Sequence, residues 1–224
     1  MMAWRLGGTV AALLFVVSVQ AQDSGPYLGA SYGRSKAKLD TAPLDAQTLG
    51  NSTPVTAAED HHNGGKLFLG YRINQNFAVE GGYADLGRFK ATANSVTQFV
   101  HVIGPFSTPV TIVTPENFTI TSKGVFLSAL GGIAFLQRGL AYAKLGVYDM
   151  KVEVTSDVNC GINCPSGQPL SHSNVGPLFG AGLQYVRPSN VGIRAEWERF
   201  NKVGGSNTGK HDFDLFSVGL TFSF

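Results

Sequence analysis

The last nine residues, Phe216-Ser217-Val218-Gly219-Leu220-Thr221-Phe222-Ser223-Phe224, alternate without a break between apolar and small polar side chains. Successive side chains of an extended chain point to opposite faces, so this period predicts a strand with one greasy side. Working backwards, Ile193, Ala195 and Trp197 oppose Arg194, Glu196 and Glu198. Before them, Phe179, Ala181, Leu183 and Tyr185 oppose Leu178, Gly180, Gly182 and Gln184. The same reading along the chain predicts eight strands, at 26–36, 64–73, 77–92, 118–135, 139–154, 175–187, 191–203 and 212–224. Short connections centre on Asn74-Gln75-Asn76, Leu136-Gln137-Arg138 and Pro188-Ser189-Asn190, and they alternate with long ones at 37–63, 93–117, 155–174 and 204–211.

The first residues read differently. Arg5 precedes an apolar run from Leu6 to Val19, and Val19-Gln20-Ala21 has the small or compact residues of a signal-peptidase site. The run is shorter than the roughly 20 apolar residues of a spanning helix. Residues 1–21 are therefore expected to be a signal peptide cut after Ala21, and residues 22–224 a single domain. Charged residues make up 14% of the chain, against about 25% in ordinary soluble proteins. With a net charge of +2 and no basic stripe, nothing points to nucleic acid. An exported, weakly charged β-protein is either soluble with its greasy side inward, or a barrel with that side in lipid.

Alternation alone does not say which face is inside. Two features favour greasy side out. The polar face is rich in glycine and small hydroxyls, which suits the narrow interior of an eight-stranded barrel. The final strand, with aromatics at alternate positions up to Phe224, resembles the signal read by outer-membrane barrel assembly. Short turns at one end and long loops at the other also suit a barrel with periplasmic turns and extracellular loops. The expected fold is all-β, an eight-stranded antiparallel up-and-down transmembrane β-barrel in a bacterial outer membrane. Its lipid-facing and girdle residues are expected to include Tyr71, Tyr83, Leu183, Tyr185, Trp197, Phe216, Phe222 and Phe224, with Tyr27 in the same role.

At these strands the chain resembles the OmpA-like outer-membrane barrel family. The likeness is carried by Pro26-Tyr27-Leu28-Gly29-Ala30-Ser31-Tyr32-Gly33, by GYRINQNFAVEGGYADLGR (70–88), by VGPLFGAGLQYVRPSNVGIRAEWE (175–198) and by FSVGLTFSF (216–224). The resemblance implies a side-chain-filled barrel with a charged interior network, serving envelope integrity, surface attachment or weak solute passage. It matches the family's inward glutamate to Glu80, its inward basic residue of the fifth strand to Lys144, and its inward arginine and glutamate of the seventh to Arg194 and Glu196. Two positions depart: Ala129 stands where the fourth strand carries an inward lysine, and Gln184 replaces a glutamate of the sixth. The peptidoglycan-binding domain of the longer members is not expected here. Independently of the family, Glu80, Lys144, Arg194, Glu196 and Glu198 would be walled in, where an unpaired charge costs several kcal/mol. They are expected to pair with one another, with Gln184 on the same face.

The remaining candidates for chemistry are weaker. In Ser171-His172-Ser173-Asn174 the histidine and serine are adjacent, so on a strand they face opposite ways and cannot form a nucleophile–base pair. No enzyme activity is expected. His61, His62, His101, His172 and His211 show no metal-ligand spacing, and neither metal nor cofactor is expected; His61-His62 with Glu59 and Asp60 are expected to form a solvated loop, weak cation binding being the alternative. Cys160 and Cys164 share one loop and are expected to form a local disulfide in an oxidising compartment, free thiols being the alternative. The function expected is that of an integral outer-membrane barrel with a structural and surface-interaction role, its recognition carried by the loops at 37–63, 93–117 and 155–174. The alternatives are a narrow low-conductance porin, a lipid-modifying barrel enzyme and a soluble carrier. Expected partners are outer-membrane lipid, the barrel-assembly machinery acting on the last strand, and an extracellular ligand or host surface.

Overall fold

A computed structural model describes residues 24–39, 51–52, 56–103, 106–135, 138–158, 169–187, 190–206 and 208–224. Residues 1–21, expected to be a signal peptide, and both cysteines lie outside the described residues. Eight long strands form the body: β1 (Gly25–Lys38), β2 (His61–Arg72), β3 (Phe77–Ile103), β4 (Phe106–Phe135), β5 (Gly139–Val158), β6 (Leu170–Val186), β7 (Val191–Gly205) and β8 (Gly209–Ser223). Each pairs antiparallel with its sequence neighbours, and β1 pairs β8 from Tyr27↔Ser223 to Lys38↔Asp212. The sheet thus closes on itself and leaves no open edge through the bilayer, the condition for strands to cross lipid.

The greasy face is outside. Leu67, Leu69, Leu127, Leu145, Leu183, Val218 and Leu220 are all more than half exposed, while Ser31, Ser128, Ser217 and Thr221 are buried in the interior. On β8 the apolar face runs from Phe216 to Phe224. Those eight steps span about 27 Å of tilted strand, in keeping with an outward apolar band about 25 Å tall. Short connections gather at one end. There Asn74 Oδ1 accepts the amides of Asn76 and Phe77, an Asx turn that reverses the chain.

The far end departs from expectation. The region 93–117, expected as a loop, is strand on both sides: β3 holds 27 residues and β4 30, paired as far as Ile103↔Phe106. A spanning strand needs about 9–11 residues, so more than half of this hairpin stands outside the membrane. Segments Thr56–Glu59 and Asn51–Ser52, from the expected loop 37–63, pair with β3 in that extension. The loop 155–174 is likewise narrowed, since β5 runs to Val158 and β6 begins at Leu170. The loop 204–211 shrinks to a tight connection between Gly205 and Gly209.

A bulge interrupts the alternation of β3. The register shifts between Asp85 and Gly87. Gly87 adopts φ +95, and its amide donates to Asp85 Oδ1 at 2.8 Å. A β-bulge with glycine in this conformation adds one residue and re-aims the side chains beyond it. On the near side Ala84 and Leu86 face inward; past the bulge the inward set becomes Phe89, Ala91 and Ala93.

Candidate functional site

The lumen holds two layers. The lower one, toward the short turns, is built from side chains that alternate inward on seven strands. Tyr27 comes from β1, Lys66 and Phe68 from β2, Glu80 from β3, Phe126 from β4, and Tyr142 and Lys144 from β5. Gln184 comes from β6, and Arg194, Glu196 and Glu198 from β7. Space for these long groups is made by glycines on neighbouring strands. A Cβ on Gly29 would collide with the ring of Phe68, and one on Gly70 with that of Tyr27.

The charges form one connected cluster. Arg194 Nη1 donates to Glu80 Oε1 at 2.5 Å, and Tyr27 Oη donates to the same oxygen at 2.6 Å. Glu80 Oε2 faces Lys144 Nζ at 2.8 Å, and that ammonium also lies 2.7 Å from Glu196 Oε1 and 2.9 Å from Glu198 Oε1. Lys66 Nζ pairs with Glu198 Oε2 at 2.5 Å and with Glu196 Oε2. Arg194 Nη2 donates to Gln184 Oε1 at 2.9 Å, and Gln184 Nε2 donates to Thr221 Oγ1 at 3.2 Å. Three carboxylates (Glu80, Glu196, Glu198) meet three cations (Lys66, Lys144, Arg194), so the cluster is formally neutral. Aromatic faces complete it: Arg194 lies 4.9 Å from the Phe68 ring centroid and 5.2 Å from that of Tyr142, and Lys66 lies 5.2 Å from Phe68. Burying six charges is tolerable only where each has several partners, which this geometry provides.

Lys66 is the member of the cluster that sequence reasoning misses. Its signal is present nonetheless: Lys66, Phe68 and Gly70 share a face opposed to Leu67, Leu69 and Tyr71. Two other expectations need correction. Tyr27 is buried and bonded to Glu80, not placed in a girdle. It alternates with Gly29, Ser31 and Gly33, the small inward set. Ala129 faces outward, so it does not stand in for an inward lysine; Ser128 is the inward residue opposite Glu80. The second lysine of the interior comes from β2 instead.

The upper layer is mostly apolar, with Ser122 and His211 buried at Met150 and Phe213. Leu86, Phe89, Phe118, Ile120, Met150, Val152, Leu178, Phe200, Phe213 and Leu215 are fully buried and continuous with one another. Phe89 and Phe213 meet at 5.2 Å between centroids, and Tyr148 and Phe200 at 5.8 Å. Tyr148 Oη donates to the carbonyl of Asn201 at 2.5 Å, so its one polar atom is satisfied. A layer of this kind closes the barrel above the charged cluster. Below the cluster, the mouth lined by Tyr27, Arg72, Gln184 and Arg194 offers only about 10 Å³, room for a single water.

Of the expected lipid-facing set, Tyr71, Tyr83, Leu183, Tyr185, Phe216, Phe222 and Phe224 are exposed on the outside. Trp197 is half-buried there because its indole N–H donates to Asp214 at 3.0 Å. His172 and Ser173 lie on β6 beyond the membrane band, opposite Val152 and Lys151 in register. Among the described residues no group of three or more His, Cys, Asp or Glu is arranged to hold a metal ion.

A closed ring of eight strands, greasy outside and filled inside, defines a transmembrane β-barrel of the bacterial outer membrane. A family model described as the OmpA-like transmembrane domain matches residues 21–224, and the chain belongs to that family. It is similar to outer membrane protein A of Salmonella typhi, 24% identical over 217 residues, covering 96% of this chain and 53% of that protein. Outer membrane protein A of Yersinia pseudotuberculosis serotype I is 26% identical over 219 residues, with 96% and 53% covered. The chain thus spans about half the length of these relatives. Among solved structures, Neisserial surface protein A has the same fold, with a TM-score of 0.53 at 16% identity over 91% of this chain and 100% of that one.

Proposed function

We propose that the chain is a closed, non-enzymatic barrel that anchors a tall β-hairpin at the cell surface, where it meets an extracellular partner. The observation that carries this reading is the contrast between a blocked lumen and the β3–β4 hairpin, which continues far beyond the bilayer. Loops and extensions on a rigid scaffold are where recognition is placed. A narrow porin would require both the charged cluster and the apolar layer above it to open. An enzyme acting on lipid would require a nucleophile and base on one face, which adjacent His172 and Ser173 do not supply. In this reading residues 1–21 export the chain and the aromatic last strand engages the assembly machinery.

The test has two arms. Planar-bilayer recordings of the folded protein should show no resolved steps; stable openings would favour the porin. Bacteria displaying the chain should adhere to epithelial monolayers and matrix. A variant with residues 93–115 replaced by a two-residue turn should fold yet lose that adherence. Unchanged adherence would remove the hairpin from the function.

A further inference from the structure

The outer wall carries a depression of about 880 Å³ on β4 to β8, floored by Gly131, Ala143, Ala181 and Ala195. In register across the strands the row reads Phe77, Gly131, Ala143, Ala181, Trp197, Phe216. Aromatic rims thus enclose a trough three strands wide, about 14 Å at the usual strand spacing. Its lining is almost entirely apolar, and it opens to the membrane.

Along the same strands toward the short turns, the wall passes Phe135 and Tyr185 and ends at Arg138 and Arg187. The two arginines sit on neighbouring turns, joined by the Val186 amide donating to the Arg138 carbonyl at 3.1 Å. Both are exposed. With Arg72 they make three arginines at this end, and among the described residues no acidic side chain accompanies them. The opposite rim differs. There Arg199 is paired to Asp214 at 2.6 Å, Lys151 to Glu153 at 3.5 Å, and Lys38 lies across from Asp212.

The geometry points to a binding site for an anionic phospholipid of the periplasmic leaflet, its phosphate on Arg138 and Arg187 and its acyl chains in the trough. Depth supports the match. From Arg187 to Ala181 is six residues, about 20 Å of strand. With the tilt of a barrel strand this rises about 15 Å, half of a hydrocarbon core about 30 Å thick. The trough therefore reaches the midplane, the length of one leaflet's chains. The exposed Arg138 and Arg187 at its mouth select a negative headgroup, and the interfacial aromatics fix the depth.

The experiment uses the folded full chain in bilayers of phosphatidylcholine doped with spin-labelled phosphatidylglycerol or spin-labelled phosphatidylcholine. The expected result is a preference for the anionic lipid of about five-fold per arginine, lost in R138Q/R187Q. A143L/A181L fills the trough on the lipid side without touching the lumen, and it should reduce the motionally restricted fraction of both lipids. Equal association of the two lipids with the parent protein, or a preference unchanged in R138Q/R187Q, overturns the proposal. So does efficient cross-linking of A181C between copies at high lipid-to-protein ratio, which would give the trough to a second copy of the chain.

Discussion

The two layers of the lumen solve one problem in opposite ways. The lower layer fills its space with six charges whose signs cancel; the upper fills it with rings and aliphatic chains. Both are dry. In the lower layer each group's stability depends on specific partners, because removing one leaves a buried charge exposed to a low dielectric. In the upper layer it depends mainly on volume, because outside the Tyr148–Asn201 hydrogen bond the contacts are apolar and any well-fitting apolar group serves. The sharpest break of the comparison is therefore Arg194→Met. It removes a cation that touches Glu80 and Gln184, and leaves the cluster at a net charge of −1. The expected loss is about 3–5 kcal/mol, read as a fall in the urea midpoint for unfolding from lipid vesicles.

Next in size is Leu178→Ala in the upper layer, where the side chain is fully buried against Phe200 in register. A loss of about 2–4 kcal/mol is expected from the missing contacts and the cavity. Leu178→Met, which keeps the volume, should cost under about 1.5 kcal/mol. If Arg194→Lys is tolerated as easily as Leu178→Met, the distinction between partner-dependent and volume-dependent packing fails.

These layers are unequally legible in the sequence. The charged one can be read from alternation: Arg194, Glu196 and Glu198 lie on one face of β7, and Glu80, Lys144 and Gln184 take the inward phase of their strands. Lys66 escapes because a strand that begins at Gly64 makes a lysine two residues in look like a loop end. Tyr27 escapes because an aromatic beside a proline suggests an interface, although its partners in phase are Gly29 and Ser31. The upper layer is not legible. The bulge at Gly87 switches the phase of β3, and Pro105, Pro109 and Pro115 break the pattern that would mark the rest of the hairpin as strand. Pairing that continues from Gly87↔Ser122 to Ile103↔Phe106, not local preference, holds that region extended.

A third change keeps the lower layer neutral while halving its redundancy. Lys66→Met with Glu198→Gln removes one charge of each sign and leaves Lys144 and Arg194 to meet Glu80 and Glu196. Exchange of a buried ion pair for neutral groups of similar volume is often close to neutral in stability. The combined variant should lose at most about 1 kcal/mol, whereas Lys66→Met alone should lose about 3 kcal/mol because it leaves Glu196 and Glu198 to share Lys144 and the cluster one positive charge short. Additive losses in the double variant would mean that charge balance does not govern the layer.

The smallest effect is expected outside the barrel, where the same chemistry meets water. Asp214 accepts from Arg199 Nε at 2.8 Å and Nη2 at 2.6 Å, and from the Trp197 indole at 3.0 Å. In contacts alone this pair rivals the one between Arg194 and Glu80. Its arginine, however, is close to half exposed at the side chain, while that of Arg194 is about 1% exposed. Water solvates Arg199 whether or not Asp214 is charged, so breaking the pair strands nothing. Asp214→Asn should therefore shift stability by about 0.5 kcal/mol, and the shift should shrink further as salt is raised. The loss from Arg194→Met should hold nearly constant over the same salt range, since mobile ions do not enter a closed lumen. Equal salt dependence of the two variants would show that the interior charges are wet, and the division between layers would then lose its physical basis.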